Sequence, residues 1–122
     1  YGCSHFEASQ FMFRNKTFDL SAYLILWQVG IAGDKSLTKF STQAQYRQVL
    51  VDMLVQYYPP EFEVILYECA VLPIDKTLIK KVKLIDLSCA EMSLKTTAIF
   101  PPCKPTERNE RIVKLVENLQ SL

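Results

Sequence analysis

The sequence predicts an α/β fold in which a mixed sheet of four to five strands is flanked by helices. Short runs rich in branched and aromatic residues accompany one stretch whose apolar residues recur every three or four positions. The later runs follow one another without an intervening helix, which disfavours a doubly wound parallel sheet. A length of 122 residues suits one domain with its own core, so we treat residues 1–122 as a single domain.

Four runs are predicted to be strands. Residues 22–29 are almost continuously apolar and lead into Gly30, which is typical of a strand buried on both faces. Residues 63–69 predict a central strand, and residues 81–87, which alternate imperfectly, predict a strand nearer an edge. Residues 96–100 predict a fourth strand, which a pair of prolines ends.

Three segments are predicted to be helical. Residues 42–57 carry one apolar stripe, with Thr42 and Gln45 as a capping box and a pair of prolines after the helix. A second amphipathic helix follows Thr106, which we expect to be its N-cap. Residues 7–13 predict a short helix or turn that docks on the core.

Charge and hydropathy exclude several classes of partner. The 14 basic and 13 acidic residues give a net charge of +1, so we expect no binding to nucleic acid or to an anionic membrane. The longest apolar run is far shorter than the roughly 20 residues that a spanning helix needs. We therefore expect a soluble, cytoplasmic protein. Because the chain begins with Tyr1 rather than Met, we expect it to be a piece of a longer one.

Cysteine and histidine content gives little support for metal or acid–base chemistry. The four cysteines include no CxxC pair, so we expect buried or half-buried thiols in a reducing compartment and no metal site. The sequence also has no GxGxxG, P-loop, HExxH or GxSxG motif. The single histidine, His5, has only Glu7 nearby to orient it, and a surface or packing role is favoured.

A polar residue interrupts the first predicted strand near its end. Gln28 precedes Gly30 in an otherwise apolar run, and a buried amide needs partners for both its carbonyl and its amine. Those partners are either the backbone of a neighbouring loop or a polar ligand at the carboxyl end of the strand, where open α/β sheets bind ligands. From the residues alone, the neighbouring loop is slightly favoured.

Small and hydroxyl side chains mark the ends of two other predicted strands. Cys69 ends one run, and Thr96 and Thr97 begin another. Each has an ordinary structural explanation, a small core residue in the first case and β-propensity in the others. Because all of them lie at strand ends, they are also candidates for one shared cleft.

Four segments in a fixed order resemble a known family. They are Gly2-Cys3-x-x-Phe6-Glu7-Ala8-Ser9-x-Phe11, then Leu24-Ile25-Leu26-Trp27-Gln28-Val29-Gly30-x-x-Gly33, then the helix end at residues 50–59 with Val64-x-x-Tyr67-x-x-Ala70-x-x-Pro73, then Thr96-Thr97-x-x-x-Pro101-Pro102. Together they resemble the C-terminal half of tetrapyrrole-methylase-like, S-adenosylmethionine-dependent methyltransferases. Within that superfamily the sequence looks closest to the borosin-type peptide backbone α-N-methyltransferases.

The resemblance implies a fold, a cofactor and partners. It implies the C-terminal lobe of the tetrapyrrole methylase fold, with Gln28, Cys69, Thr96 and Thr97 against S-adenosylmethionine. The Gly-rich loop and the catalytic residues of that family lie in an N-terminal lobe with no counterpart in this sequence. The implied partners are therefore this missing lobe and a ribosomal precursor peptide as substrate. Separately, the apolar stripe of residues 42–57 and strand edges left open by the missing lobe predict association with that lobe or with a second copy, as a homodimer. Cys69 and residues 36–45 depart from the family pattern.

Two other functions remain open at this stage. A nearby alternative keeps the methyl donor but transfers to a tetrapyrrole or another small acceptor. A different class is a non-catalytic α/β module that serves dimerisation or ligand sensing.

Overall fold

The computed structural model describes residues 1–33, 44–69, 77–93 and 95–121. These residues form five strands, three α-helices and two short 3₁₀ helices. The strands are β1 Cys3–Glu7, β2 Tyr23–Trp27, β3 Glu63–Glu68, β4 Leu78–Lys83 and β5 Thr97–Phe100. The α-helices are α1 Ala8–Phe13, α2 Ala44–Leu54 and α3 Glu110–Gln120, and the 3₁₀ helices are Val29–Ile31 and Leu84–Cys89. The predicted α/β class is confirmed.

The five strands form one open mixed sheet in the order β1-β2-β5-β3-β4. β1 pairs with β2 in parallel, whereas the β2–β5, β5–β3 and β3–β4 pairs are antiparallel. The carboxyl ends of β1, β2 and β3 therefore meet the amino end of β5 at one edge. We call this the strand-end edge.

The core lies on one face of the sheet, where α1 and α2 cover it. The central strands contribute alternate residues to this face, and the same cluster contains Ala8 and Phe11 from α1 and Leu50 and Leu54 from α2. The residues from the strands are Leu24, Leu26, Val64, Leu66, Ala98 and Phe100. Alternation with a period of two is what places them on the same side.

The opposite face of the sheet is less covered, which corrects the prediction for β2. Ile25, Ile65 and Ile99 share this face and are only half-buried. Tyr23 and Trp27 at the two ends of β2 are 39% and 50% exposed. A strand buried on both faces was therefore the wrong expectation, because an apolar run does not specify that both sides are packed.

Three element boundaries also differ from prediction. β1 was not predicted at all, since its polar sequence forms a strand only through pairing with β2. The predicted strand at residues 81–87 is half wrong: β4 ends at Lys83, and Leu84 and Leu87 are buried from a 3₁₀ helix. The N-cap of α3 is Asn109, not Thr106, and its side chain accepts a hydrogen bond from the Ile112 amide.

The structure tests the predicted end of α2 but not its predicted start. Thr42 lies outside the described residues, so the predicted capping box has no structural counterpart there. The helix ends at Leu54, and turns follow before Pro59.

None of the helices within the described ranges has the length and apolar character to cross a membrane.

One core side chain is a target for stabilisation. The ring of Tyr58 packs against Phe62 and Phe100, but its buried hydroxyl has no hydrogen-bond partner among the described residues. Burial raises the pKa of this hydroxyl, so it stays neutral. A buried hydroxyl without a partner costs about 1–3 kcal/mol.

We therefore expect Tyr58→Phe to raise the free energy of unfolding by about 1 kcal/mol, because the substitution removes only the unpaired oxygen. Denaturant unfolding measures the change. Tyr57→Phe is the matched control, since Tyr57 is 50% exposed and its hydroxyl has water available. A less stable Tyr58→Phe variant would show that the hydroxyl has a partner.

Candidate site at the strand-end edge

The strand-end edge brings together all four residues predicted to form a cleft. Leu26 pairs with Ala98 and Tyr67 pairs with Thr97, so the end of β2 and the end of β3 flank the start of β5. Gln28, Thr96 and Cys69 lie just beyond these three strand ends. Because β2 and β3 are separated by one strand, their ends are about 10 Å apart in the plane of the sheet.

Gln28 has an unusual backbone conformation. Its φ of 53° and ψ of 40° place it in the left-handed region, and it is the only non-glycine residue with positive φ in the described part of the chain. This conformation costs an L-residue about 1–2 kcal/mol. The side chain is half-buried and does not cap the Val29–Ile31 turn that follows. Strain at a non-glycine residue is a recurrent feature of functional sites.

Hydrogen bonds from two other segments hold the loop after Gln28. The Val29 amide donates to the Thr96 carbonyl at 3.1 Å. On the other side, the buried Ser9 hydroxyl accepts from the Gly33 amide at 3.0 Å and donates to the Ile31 carbonyl at 3.3 Å. These contacts hold the backbone that follows the strained residue.

Thr96 uses its polar groups within the protein. It is 1% exposed, and its hydroxyl donates to a Glu68 carboxylate oxygen at 2.5 Å and accepts from the Ser93 amide at 2.9 Å. Its own amide donates to the Ser93 carbonyl at 3.2 Å. The Thr96 hydroxyl is therefore engaged in fixing a turn. Thr97 is half-buried and its side chain lies on the other face of the sheet.

Glu68 is the acceptor in this cluster and was not identified from the sequence. The same oxygen that binds Thr96 also accepts from the Ser93 hydroxyl at 3.1 Å. The hydrogen bond from Thr96 lowers the pKa of Glu68, with further help from Ser93 and the charges of Lys95 and Lys80, while burial opposes the shift. Glu68 therefore remains ionised at neutral pH. In the sequence, the sign of this role is a carboxylate at the end of an apolar strand. Its partner could not be predicted, because it depends on the β3–β5 register.

Cys69 is exposed and follows β3 directly. It interacts with Tyr67, and a hydrogen bond to the sulfur raises the pKa of the Tyr67 hydroxyl. The predicted small core residue is thus a surface residue at the strand-end edge. All four cysteines are free, and Cys3 and Cys89 are exposed as well, so the expectation of buried or half-buried thiols was wrong except for Cys103.

His5 and Glu7 do not form an acid–base pair. The imidazole stacks on Trp27 with ring centroids 5.2 Å apart. The Glu7 carboxylate instead caps α1, accepting from the Gln10 amide at 2.9 Å. Over the described ranges, no three His, Cys, Asp or Glu side chains form a group that would hold a metal ion.

A small cavity of about 170 Å³ adjoins the Glu68 cluster on the core side of the sheet. Its lining is mixed in charge, with Glu68 and Glu91 opposite Lys80, and includes Met92 and Ser93. It is too small for a nucleoside cofactor by comparison with ordinary ligand pockets of about 300–1,000 Å³. A cofactor at the strand-end edge would therefore need a second wall.

The molecule is an open α/β domain in which polar residues at the strand ends lie along one edge of the sheet. No family model matches the chain. The chain is similar to borosin-type fusions of a methyltransferase with a peptide precursor. It is 30% identical to the methyltransferase/ribosomally synthesized cyclic peptide gymnopeptides precursor of Gymnopus fusipes, over 97% of this chain and 29% of that protein.

Other relatives have the same composite description. The methyltransferase/ribosomally synthesized cyclic peptide omphalotin A precursor of Omphalotus olearius is 31% identical, with 97% of this chain and 29% of that protein covered. A type III borosin cyclic peptide precursor of Anomoporia bombycina is 35% identical over 80% of this chain and 11% of its own length. The chain thus spans less than a third of these relatives.

Proposed function

We propose that this chain is the cofactor-binding C-terminal lobe of an S-adenosylmethionine-dependent methyltransferase that N-methylates backbone amides of a ribosomal precursor peptide. The observation that carries the proposal is Gln28, held in a strained conformation at the edge where three strand ends meet. The borosin-type relatives support a methyltransferase that acts on a ribosomal peptide. The lobe assignment follows the resemblance to tetrapyrrole-methylase-like enzymes.

The residues at the edge fit an uncharged nucleoside. The Gln28 amide offers both a donor and an acceptor, Thr97 offers a hydroxyl, and Cys69 is small and exposed. Two carboxylates line the adjoining cavity, and one of them, Glu68, already accepts two hydroxyl hydrogen bonds from the fold. Neutral polar groups of this kind suit the donors and acceptors of a purine edge and a ribose.

S-adenosylmethionine, when bound, supplies an activated methyl group on a sulfonium. A peptide amide is a poor nucleophile, so the main task of this lobe is to bind and orient. Positioning of this kind contributes up to roughly 7–11 kcal/mol to a reaction barrier. The loop at residues 28–33 is suited to that task because hydrogen bonds fix its backbone before any ligand binds. Groups that polarise or deprotonate the amide would come from an N-terminal lobe.

We also propose that the intact protein is a homodimer in the reducing cytoplasm. α3 supports association, because it has no buried residue although it carries a one-sided apolar stripe. The stripe consists of Ile112, Leu115, Val116 and Leu119, all 43–70% exposed. The stripe predicted for α2 is used within the fold only in part. Leu50 and Leu54 are buried, whereas Tyr46, Val49 and Tyr57 are 38%, 51% and 50% exposed.

Light scattering on the intact protein tests the dimer. We expect Leu115→Lys to shift the mass towards the monomer, whereas Lys114→Ala, one position along the same helix, leaves it unchanged. A dimer that persists in Leu115→Lys would exclude the α3 stripe as the interface.

The proposed function is tested on the intact protein with S-adenosylhomocysteine and with its precursor peptide. We expect micromolar or tighter binding by calorimetry and a stepwise gain of methyl mass on the peptide. Binding without any peptide modification would favour a tetrapyrrole or another small acceptor. Absence of binding would leave a non-catalytic α/β module.

A further inference from the structure

A continuous path of contacts links Glu68 to the residues directly after Gln28. Glu68 accepts hydrogen bonds from the hydroxyls of Ser93 and Thr96 through one carboxylate oxygen. Ser93 and Thr96 are also joined to each other, by the Ser93 amide to the Thr96 hydroxyl and by the Thr96 amide to the Ser93 carbonyl. The carboxylate therefore anchors both ends of one turn.

The anchored turn in turn supports the loop that carries Gln28. The Thr96 carbonyl accepts from the amide of Val29, the residue after Gln28. Gly30 lies so close to the Ser93 carbonyl that a Cβ at Gly30 would be only 2.2 Å from that oxygen. The turn thus touches the backbone at the two positions that follow the strained residue.

We propose that Glu68 is a positioning residue, which acts through the Ser93–Thr96 turn to hold Gln28 in its left-handed conformation at the strand-end edge. The expected effect on binding of the methyl donor rests on the proposed function. The positioning of Gln28 by Glu68 does not. A charged acceptor is suited to this role, because a hydrogen bond to an ionised group is roughly twice as strong as one between neutral groups. Among the described residues, the charged groups near it are Lys80, Lys95 and Glu91.

Amide hydrogen exchange on the intact protein tests the geometry without any ligand. We expect Glu68→Gln to speed exchange of the Val29 amide about tenfold. This factor corresponds to the loss of roughly one hydrogen bond to a charged group. The Gly33 amide is an internal control, because Ser9 holds it from the other side. Glu63→Gln is the matched variant, since Glu63 lies on the same strand but pairs at the surface with Lys81.

Variants of Thr96 separate positioning from a general loss of stability. Thr96→Val removes the hydroxyl and should reproduce the effect of Glu68→Gln, and the double variant should add little more, because both break one contact path. Thr96→Ser keeps the hydroxyl and should restore slow exchange at Val29. Exchange that rises equally at all amides, or stays unchanged at Val29 in Glu68→Gln, would overturn the proposal.

Binding of S-adenosylhomocysteine is measured on the same variants. We expect a severalfold weaker affinity in Glu68→Gln and Thr96→Val, and unchanged affinity in Glu63→Gln and Thr96→Ser. If Val29 exchange responds but the wild-type protein does not bind S-adenosylhomocysteine, the positioning role stands and the proposed function fails. If Val29 responds while affinity stays constant, the inferred link to the cofactor is wrong.

Discussion

Replacement of Gly30 by alanine is expected to lower the free energy of unfolding by about 3 kcal/mol or more, a cost at the upper end for overpacking. The added Cβ would lie 2.2 Å from the Ser93 carbonyl oxygen and 2.9 Å from its carbon. These are backbone atoms, which cannot rotate away as the end of a long side chain would. Relief requires separation of the Gln28 loop from the Ser93–Thr96 turn, at the expense of the Val29 to Thr96 hydrogen bond.

Denaturant unfolding measures the loss, and Gly2→Ala is its control. Gly2 has a φ of +73° but no atom within 4 Å of an added Cβ, so its replacement should cost only about 1–2 kcal/mol of backbone strain. The comparison separates the clash at Gly30 from the conformational preference of glycine. Equal losses in the two variants would show that the loop and the turn are not in close contact.

The sequence pattern predicts the central part of the sheet well, because local signals coincide with packing there. β2, β3 and β5 lie within the predicted runs, since branched apolar residues at alternate positions face the core. β1 could not be predicted, because its side chains are polar or half-buried and its existence depends on parallel pairing with β2. The segment after Lys83 was misread because Leu84 and Leu87 have helical rather than alternating spacing.

The candidate site was predictable in its location but not in its internal contacts. Strand order and direction bring Gln28, Cys69, Thr96 and Thr97 to one edge, as their positions at strand ends indicated. The engagement of Thr96 with Glu68 depends on which residues of β3 and β5 are neighbours. The positive φ of Gln28 was likewise not predictable, because the residues that follow it are held by Thr96 and Ser9, which are distant in sequence.

The strain at Gln28 leads to the prediction with the largest expected effect on function. We expect Gln28→Gly to raise the free energy of unfolding by about 1 kcal/mol, because glycine enters the left-handed region without the Cβ penalty. The same substitution should weaken binding of S-adenosylhomocysteine at least tenfold, which corresponds to about 1.4 kcal/mol of lost interaction. These two opposite effects together would show that Gln28 costs stability and supports binding.

Gln28→Ala separates the two effects, because it removes the amide but keeps a Cβ in the strained conformation. It should lose affinity as Gln28→Gly does, yet gain no stability. Calorimetry and denaturant unfolding on the intact protein give both quantities for each variant. Wild-type affinity in both variants would exclude the Gln28 amide from the cofactor site, and a glycine variant no more stable than the alanine variant would show that the backbone there is not strained.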